Sequence, residues 1–239
     1  MAFTFNGVSS TTHLIENKVH HTILAPLTSR NLKVPGRAGV YDFGVSTGAR
    51  EIVIDVTIKG TSQADLRTKV RTIASWLFQD DLKPMVFSDE PDKTYYARVA
   101  GSTDLEQIVA VGQGAITFIC PDPFAEGASV TQTFASGAAI TNNGTAKIFP
   151  IFTVNFTGAA SSFKVMKGTQ QVYVNKSFVI GDVLVIDHRK ALVTVNGLRV
   201  MDKVDLSTVF FYLGPGGTVL AFAPTTNLTV QVDFKEKWL

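Results

Sequence analysis

Apolar positions in this chain repeat at two periods, and where the period changes the structure is expected to change with it. In Glu51–Lys59 the residues Ile52, Ile54, Val56 and Ile58 fall on one face at period two, which predicts a strand. Gly60-Thr61 breaks that pattern. Ser62 then offers an N-cap, with Asp65 in place to complete a shortened capping box. Leu66, Val70, Ile73 and Leu77 follow at spacings of four, three and four, the apolar stripe of an amphipathic helix over 62–78. Arg67, Lys69 and Arg71 lie off the stripe, so the helix should pack its apolar side on the sheet of its own domain.

Elsewhere period two prevails. In the first half, residues 3–5, 13–15, Pro84–Phe87, Thr94–Val99, Asp104–Val109 and Ala115–Cys120 read as further strands. Ser88–Lys93 and Gly112-Gln113-Gly114 carry turn chemistry between them. Val34–Gly48 is rich in glycine and has no clear period, and reads as a long loop or extended arm. Pro121-Asp122-Pro123 stops the last strand, because proline has no N–H for a ladder, and the first domain is expected to end there.

From residue 124 the pattern is nearly all strand. Ala125–Gly137 reads as a connector merging into a strand at Val130–Phe134. The others are Ile148–Phe156, Phe163–Met166, Gln171–Val174, Val183–Ile186, Ala191–Val195, Val209–Leu213, Thr218–Phe222 and Leu228–Phe234. Asn142-Asn143-Gly144 holds residues that tolerate positive φ, Asn196-Gly197 signals a type I′ turn, and Pro215-Gly216-Gly217 is a break. This spacing predicts an antiparallel sandwich of jelly-roll or lectin-like type. The expected fold is therefore mainly β: domain 1–123 with one α-helix, then domain 124–239 as a sandwich.

Composition narrows the function. The 239 residues include 45% hydrophobic but only 18% charged side chains, which suits a subunit that buries surface against partners. Net charge is +2 with both signs dispersed, so specific nucleic-acid binding is not expected. The N-terminus lacks the features of a signal peptide, and no apolar run approaches the ~18 residues of a membrane span. One cysteine, Cys120, excludes an internal disulfide.

Candidate chemistry is sparse. His13, His20, His21 and His188 belong to no nucleophile–base motif, and Cys120 at the end of an apolar strand reads as a small buried hydrophobe. Adjacent His20 and His21 point to opposite faces of a strand and cannot share one metal ion. Asp89-Glu90-Pro91-Asp92 lacks the glycine and closing glutamate of a calcium loop, and Asp182 and Asp187 frame a strand. The glycines at 36–39 and 214–217 precede no helix and so form no phosphate cradle. Neither an enzyme nor a cofactor or metal protein is expected. Sugar binding by the second domain is the alternative, although Trp76 lies in the helix and Trp238 at the chain end.

Several segments carry a resemblance. In the first half they are Phe3-Thr4-Phe5-Asn6-Gly7-Val8, Pro35-Gly36-Arg37-Ala38-Gly39, the Ile52–Ile58 strand, the capped helix, Val86–Ala97 and Ile116–Phe124. In the second they are Asn143-Gly144-Thr145-Ala146, Pro150, Gly181–Asp187 and Val195-Asn196-Gly197. In this order the chain resembles the distal tail proteins of siphophages, the phage tail component family, over nearly its whole length. The resemblance implies a structural part of the virion tail tip, made in the host cytoplasm. It implies a hexameric ring, or a pair of rings, joining the tail tube protein to the tail-associated hub protein around a channel for DNA. The second domain would be a galectin-like sandwich projecting outward, and the alternative role a carbohydrate-binding tail module contacting the host. Within such a ring, Pro35, Gly36, Arg37, Gly39, Tyr41 and Phe43 are the candidate inter-subunit arm, and Leu66, Val70, Ile73 and Leu77 the structural helix stripe.

Overall fold

Strands dominate because apolar side chains alternate with polar ones, and each alternating run buries one face. A computed structural model describes residues 2–58, 60–101 and 113–239. The chain forms two compact units, one reaching to Glu126 and taking in Leu239, the other Gly127–Trp238.

The first unit contains β1 (Phe3–Phe5), β2 (Val8–Ser9), β3 (Ile15–His20), β4 (Leu27–Leu32), β5 (Tyr41–Thr47), β6 (Arg50–Thr57), helix α1 (Gln63–Leu77), β7 (Lys83–Phe87), β8 (Glu90–Val99) and β9 (Gln113–Cys120). Antiparallel pairing runs β2–β1–β7–β8–β9–β6–β3. In β6 the alternation is plain: Ile52, Ile54 and Val56 are buried. The expected strand at 13–15 begins instead at Ile15. The Ser10 carbonyl accepts from the N–H groups of His13 and Leu14, which closes a 3₁₀ turn at Ser10–Thr12. Of Ser88–Lys93 only Ser88 and Asp89 turn, since β8 starts at Glu90. Asp104–Val109 and Gly112 lie outside the described residues, and Gln113-Gly114 opens β9.

Ser62 caps α1: its side chain accepts from the Asp65 N–H at 3.2 Å, and Asp65 Oδ2 accepts from the Thr61 N–H at 2.8 Å. The reciprocal bond thus reaches one residue further back than a standard capping box. Ile73, Trp76 and Leu77 are buried, whereas Leu66 and Val70 are half-buried. Trp76 stacks on Phe3 with ring centres 6.0 Å apart, and its Nε1–H donates to the Phe5 carbonyl at 3.0 Å. Leu66 lies over Gly60, where a Cβ would clash with its side chain.

The second unit runs β10 (Ala125–Phe134, its first two residues in the first unit), β11 (Ala139–Asn142), β12 (Ile151–Phe156), β13 (Phe163–Lys167), β14 (Gln170–Val174), β15 (Val183–Asp187), β16 (Leu192–Val195), β17 (Leu198–Arg199), β18 (Gly216–Val219), β19 (Ala221–Ala223) and β20 (Leu228–Trp238). One layer is ordered β17–β16–β15–β12–β20–β10; the others are β14–β13–β19 and β11–β18. Between them lies a core of Phe152, Val154, Phe156, Phe163, Val165, Val172, Val174, Phe222, Val230 and Val232. Phe156 and Phe178 stack with ring centres 4.1 Å apart.

The second unit departs from the sequence pattern at four places. The supposed connector is part of one ten-residue strand, β10. Val209–Leu213 has no ladder: Leu213 makes an isolated bridge to Ile148, and the Val209 N–H donates to the Gln171 carbonyl. Thr218–Phe222 is two strands, because at Leu220 the chain passes from pairing with β11 to pairing with β13. Asn142-Asn143-Gly144 has no positive φ. Gly144 is needed there for close approach, since a Cβ would strike the Lys237 backbone. Asn196-Gly197, by contrast, takes φ of 50° and 79°, the type I′ geometry between β16 and β17.

Candidate functional site

The chain segment that departs most from ordinary burial is the β4–β5 hairpin. Its strands pair with each other and with no other described strand. All thirteen residues of β4 and β5 are exposed. The sequence reading as a long loop or arm from Val34 is thereby refined: Leu27–Leu32 is the unrecognised first strand, and 33–40 is the tip. Pairing shifts between Ser29 and Asn31, where β5 carries an extra residue and Gly44 sits at φ +85°. That bulge breaks the alternation, which explains why no period showed in the sequence.

Pro35, Gly36, Arg37 and Gly39 form the tip, and Tyr41 and Phe43 lie on β5. The Arg37 guanidinium stands 3.9 Å above the Tyr41 ring and so stiffens the base of the tip. Leu27 is 54% exposed, Phe43 66% and Val45 61%, and Ile23, Leu24, Leu32, Val34 and Val40 are exposed as well. A lone two-stranded hairpin is marginal in water, and exposed apolar side chains gathered on one make it a candidate binding surface. The hairpin's root is firm. The Gly48 N–H donates to the Pro26 carbonyl at 2.8 Å, and buried Arg50 donates to the carbonyls of Thr22 and Pro123. No motif marked Arg50. A charged residue opening an apolar alternating strand is the signal that was available.

The other candidate groups do not converge. His20 Nε2 lies 2.8 Å from Asp55 Oδ2, while His21 packs edge-on against Phe87 and burial lowers its pKa. His13 rests on Trp76. Burial pushes the Cys120 thiol up to about 11, which leaves it unreactive. His188 is enclosed by Phe152, Phe210 and Phe211; burial lowers its pKa to about 4, and its Nδ1 accepts from the Phe211 N–H. Asp182 accepts from the Val179 N–H and Asn196 Nδ2, and Asp187 from the N–H groups of Arg189 and Lys190, so both acids organise turns. Trp76 is buried and offers no sugar platform. Among the described residues no three His, Cys, Asp or Glu gather as a metal site, and no helix is long and apolar enough to cross a membrane.

Residues 8–120 match the family model of the phage tail protein RIFT-related domain, and residues 143–238 that of the siphovirus-type tail component, C-terminal domain. The distal tail protein of Bacillus phage SPP1 is 26% identical over 98% of this chain and 94% of its own. The crystal structure of SPP1 Dit, described as a paradigm of the hub adsorption apparatus in phages infecting Gram-positive hosts, superimposes with a TM-score of 0.79 at 22% identity, covering 100% of this chain and 99% of that one. A chain of the phage p2 baseplate aligns over 92% of this chain and 90% of that one, at 9% identity and a TM-score of 0.42, too loose a likeness to argue from. The class these matches define is a structural component of the bacteriophage tail. The chain belongs to the family of siphophage distal tail proteins.

Proposed function

We propose that six copies of this chain close into a ring at the tail tip, joining the tail tube on one face to the tail-associated hub protein on the other, with DNA passing through the central channel. The β4–β5 hairpin is the observation that carries this reading. It is a two-stranded ribbon with apolar side chains that no described residue of its own chain covers, so a neighbouring subunit is the natural cover. In a ring each subunit gives its hairpin to one neighbour and receives one from the other. Domain 1–123 forms the ring, its α1 stripe of Leu66, Val70, Ile73 and Leu77 serving the subunit's own core. Domain 124–239 projects outward as a galectin-like sandwich. The role is structural rather than enzymatic, and the particle carries the protein at its tail tip.

A cross-linking experiment tests the ring. A benzophenone attached at Phe43→Cys reports on what lies beside the hairpin, and the native Cys120 does not compete because it is buried. The expected products form a ladder that ends at six subunits. Products continuing beyond six would indicate open stacking like that of a tube protein, and a monomer band alone would remove the hairpin from the interface.

A further inference from the structure

The layer β14–β13–β19 of the second unit has one face in the core and the other open. Phe163, Val165, Val172, Val174 and Phe222 point inward and are buried. Register then forces Lys164, Tyr173 and Ala223 outward in one row, with Lys164 paired to Tyr173 on one side and to Ala223 on the other. The small Ala223 leaves a trough at its end of the row. Ser161 and Ser162 wall it on one side and Asn227 on another, giving a cavity of about 660 Å³. That volume falls within the range of small-ligand sites.

The chemistry of the lining is uneven in an informative way. It holds one cation, Lys164, and no carboxylate. Lys164 forms no ion pair among the described residues, and the Tyr173 hydroxyl and the Ser161 and Ser162 hydroxyls make no hydrogen bond there. Gln171 commits its side-chain N–H to Ser207, and its side-chain oxygen Oε1 accepts no hydrogen bond among the described residues. Elsewhere in this unit polar side chains cap turns, as Asp182 and Asp187 do. Here several uncommitted donors and acceptors surround one aromatic ring.

We infer that this trough is a binding site for a saccharide bearing an anionic group, with Tyr173 as the stacking platform, the hydroxyls and amides as hydroxyl-pairing groups, and Lys164 as the counter-ion. The site belongs to the second unit, and the hairpin proposed above as the ring contact belongs to the first. It would give the tail tip a weak grip on a charged surface glycan while assembly proceeds through the hairpin.

The test uses the full chain on an array of di- to tetrasaccharides, each in neutral and phosphorylated form, with inorganic phosphate as competitor. The expected result is retention of phosphorylated over neutral glycans by at least about tenfold, a ratio that converts to about 1.4 kcal/mol. Lys164→Met should abolish that preference and keep the residual neutral binding. Tyr173→Ala should lose both, with thermal midpoint and solution mass unchanged; Tyr173→Phe, which preserves packing and the ring, should retain most of the binding. The inference is overturned by no glycan retained by the native chain, by binding indifferent to Tyr173→Ala, or by capture of proline-rich peptides in place of glycans. Full competition by inorganic phosphate with no preference among sugars would also overturn it, by reducing the site to a lysine.

Discussion

Two hairpins of this chain show how differently apolar residues can be used. In β13–β14 they alternate strictly. Val165 and Val172 face each other across the ladder and are fully buried, and polar Lys164 and Gln171 take the other face. In β4–β5 a bulge at Gly44 interrupts the alternation, apolar residues occur on both sides of it, and none is buried. The first hairpin is completed by its own unit. The second pairs with no other described strand, and both of its strands are exposed. Apolar content alone therefore does not separate a core strand from an exposed one; the regularity of its period does.

The sharpest test of the contrast is the same substitution in both places. Phe163→Ala removes a ring from the core, where the residue is fully buried, and should cost about 3–5 kcal/mol of unfolding free energy by urea titration. The second unit should also carry the acid sensitivity. The His188 pKa is about 4 in the folded state against an ordinary 6.5, so the unfolded chain takes up the proton first as pH falls. Stability is whole above pH 6.5, declines progressively towards about 4 and then levels, an effect of about 3 kcal/mol in full. Asp187, the charged neighbour, opposes this shift only in part. Urea midpoints measured across this range should lose most of their slope in His188→Gln; an unchanged slope would place the acid sensitivity elsewhere.

Within α1 the expected effects are graded. Ile73→Ala, at a buried position, should cost about 2–5 kcal/mol, and Leu66→Ala, at a half-buried one, less than Ile73→Ala. Equal losses would mean that Leu66 is covered by a partner in solution. Phe43→Ala, the counterpart of Phe163→Ala, should change monomer stability by less than about 0.5 kcal/mol and act on association instead. A loss as large as that of Phe163→Ala would erase the distinction between the two hairpins.

Much of the fold was legible because it rests on local rules. The β6 alternation, the Ser62 cap and the Asn196-Gly197 turn each follow from a few adjacent residues. What was not legible depends on contacts distant in sequence. Trp76 sits off the four–three–four stripe, and only the approach of Phe3 and Phe5 reveals it as the helix's largest anchor. Val209–Leu213 has strand composition but is left without a neighbouring strand to pair with over its length. The glycines of Val34–Gly48 mark a long loop or arm, yet Leu27–Leu32, with mixed polarity and no buried face, gives no sign of being its partner strand. The trough beside Tyr173 combines residues 159–173 with 223–227, and no motif spans that separation.

The central claim is that the uncovered hairpin exists to be covered by another copy. Its ends already meet through the Gly48 N–H and the Pro26 carbonyl, so residues 27–47 can be replaced by a two-residue Gly-Ser link without pulling on the first unit. The decisive measurement is the solution mass by light scattering, across a range of concentrations, of the native chain and of this deletion. The account predicts a discrete mass of six subunits, or twice six, for the native chain and a folded monomer for the deletion. Intact rings formed by the deletion, or a native chain that stays monomeric at every concentration, would contradict it.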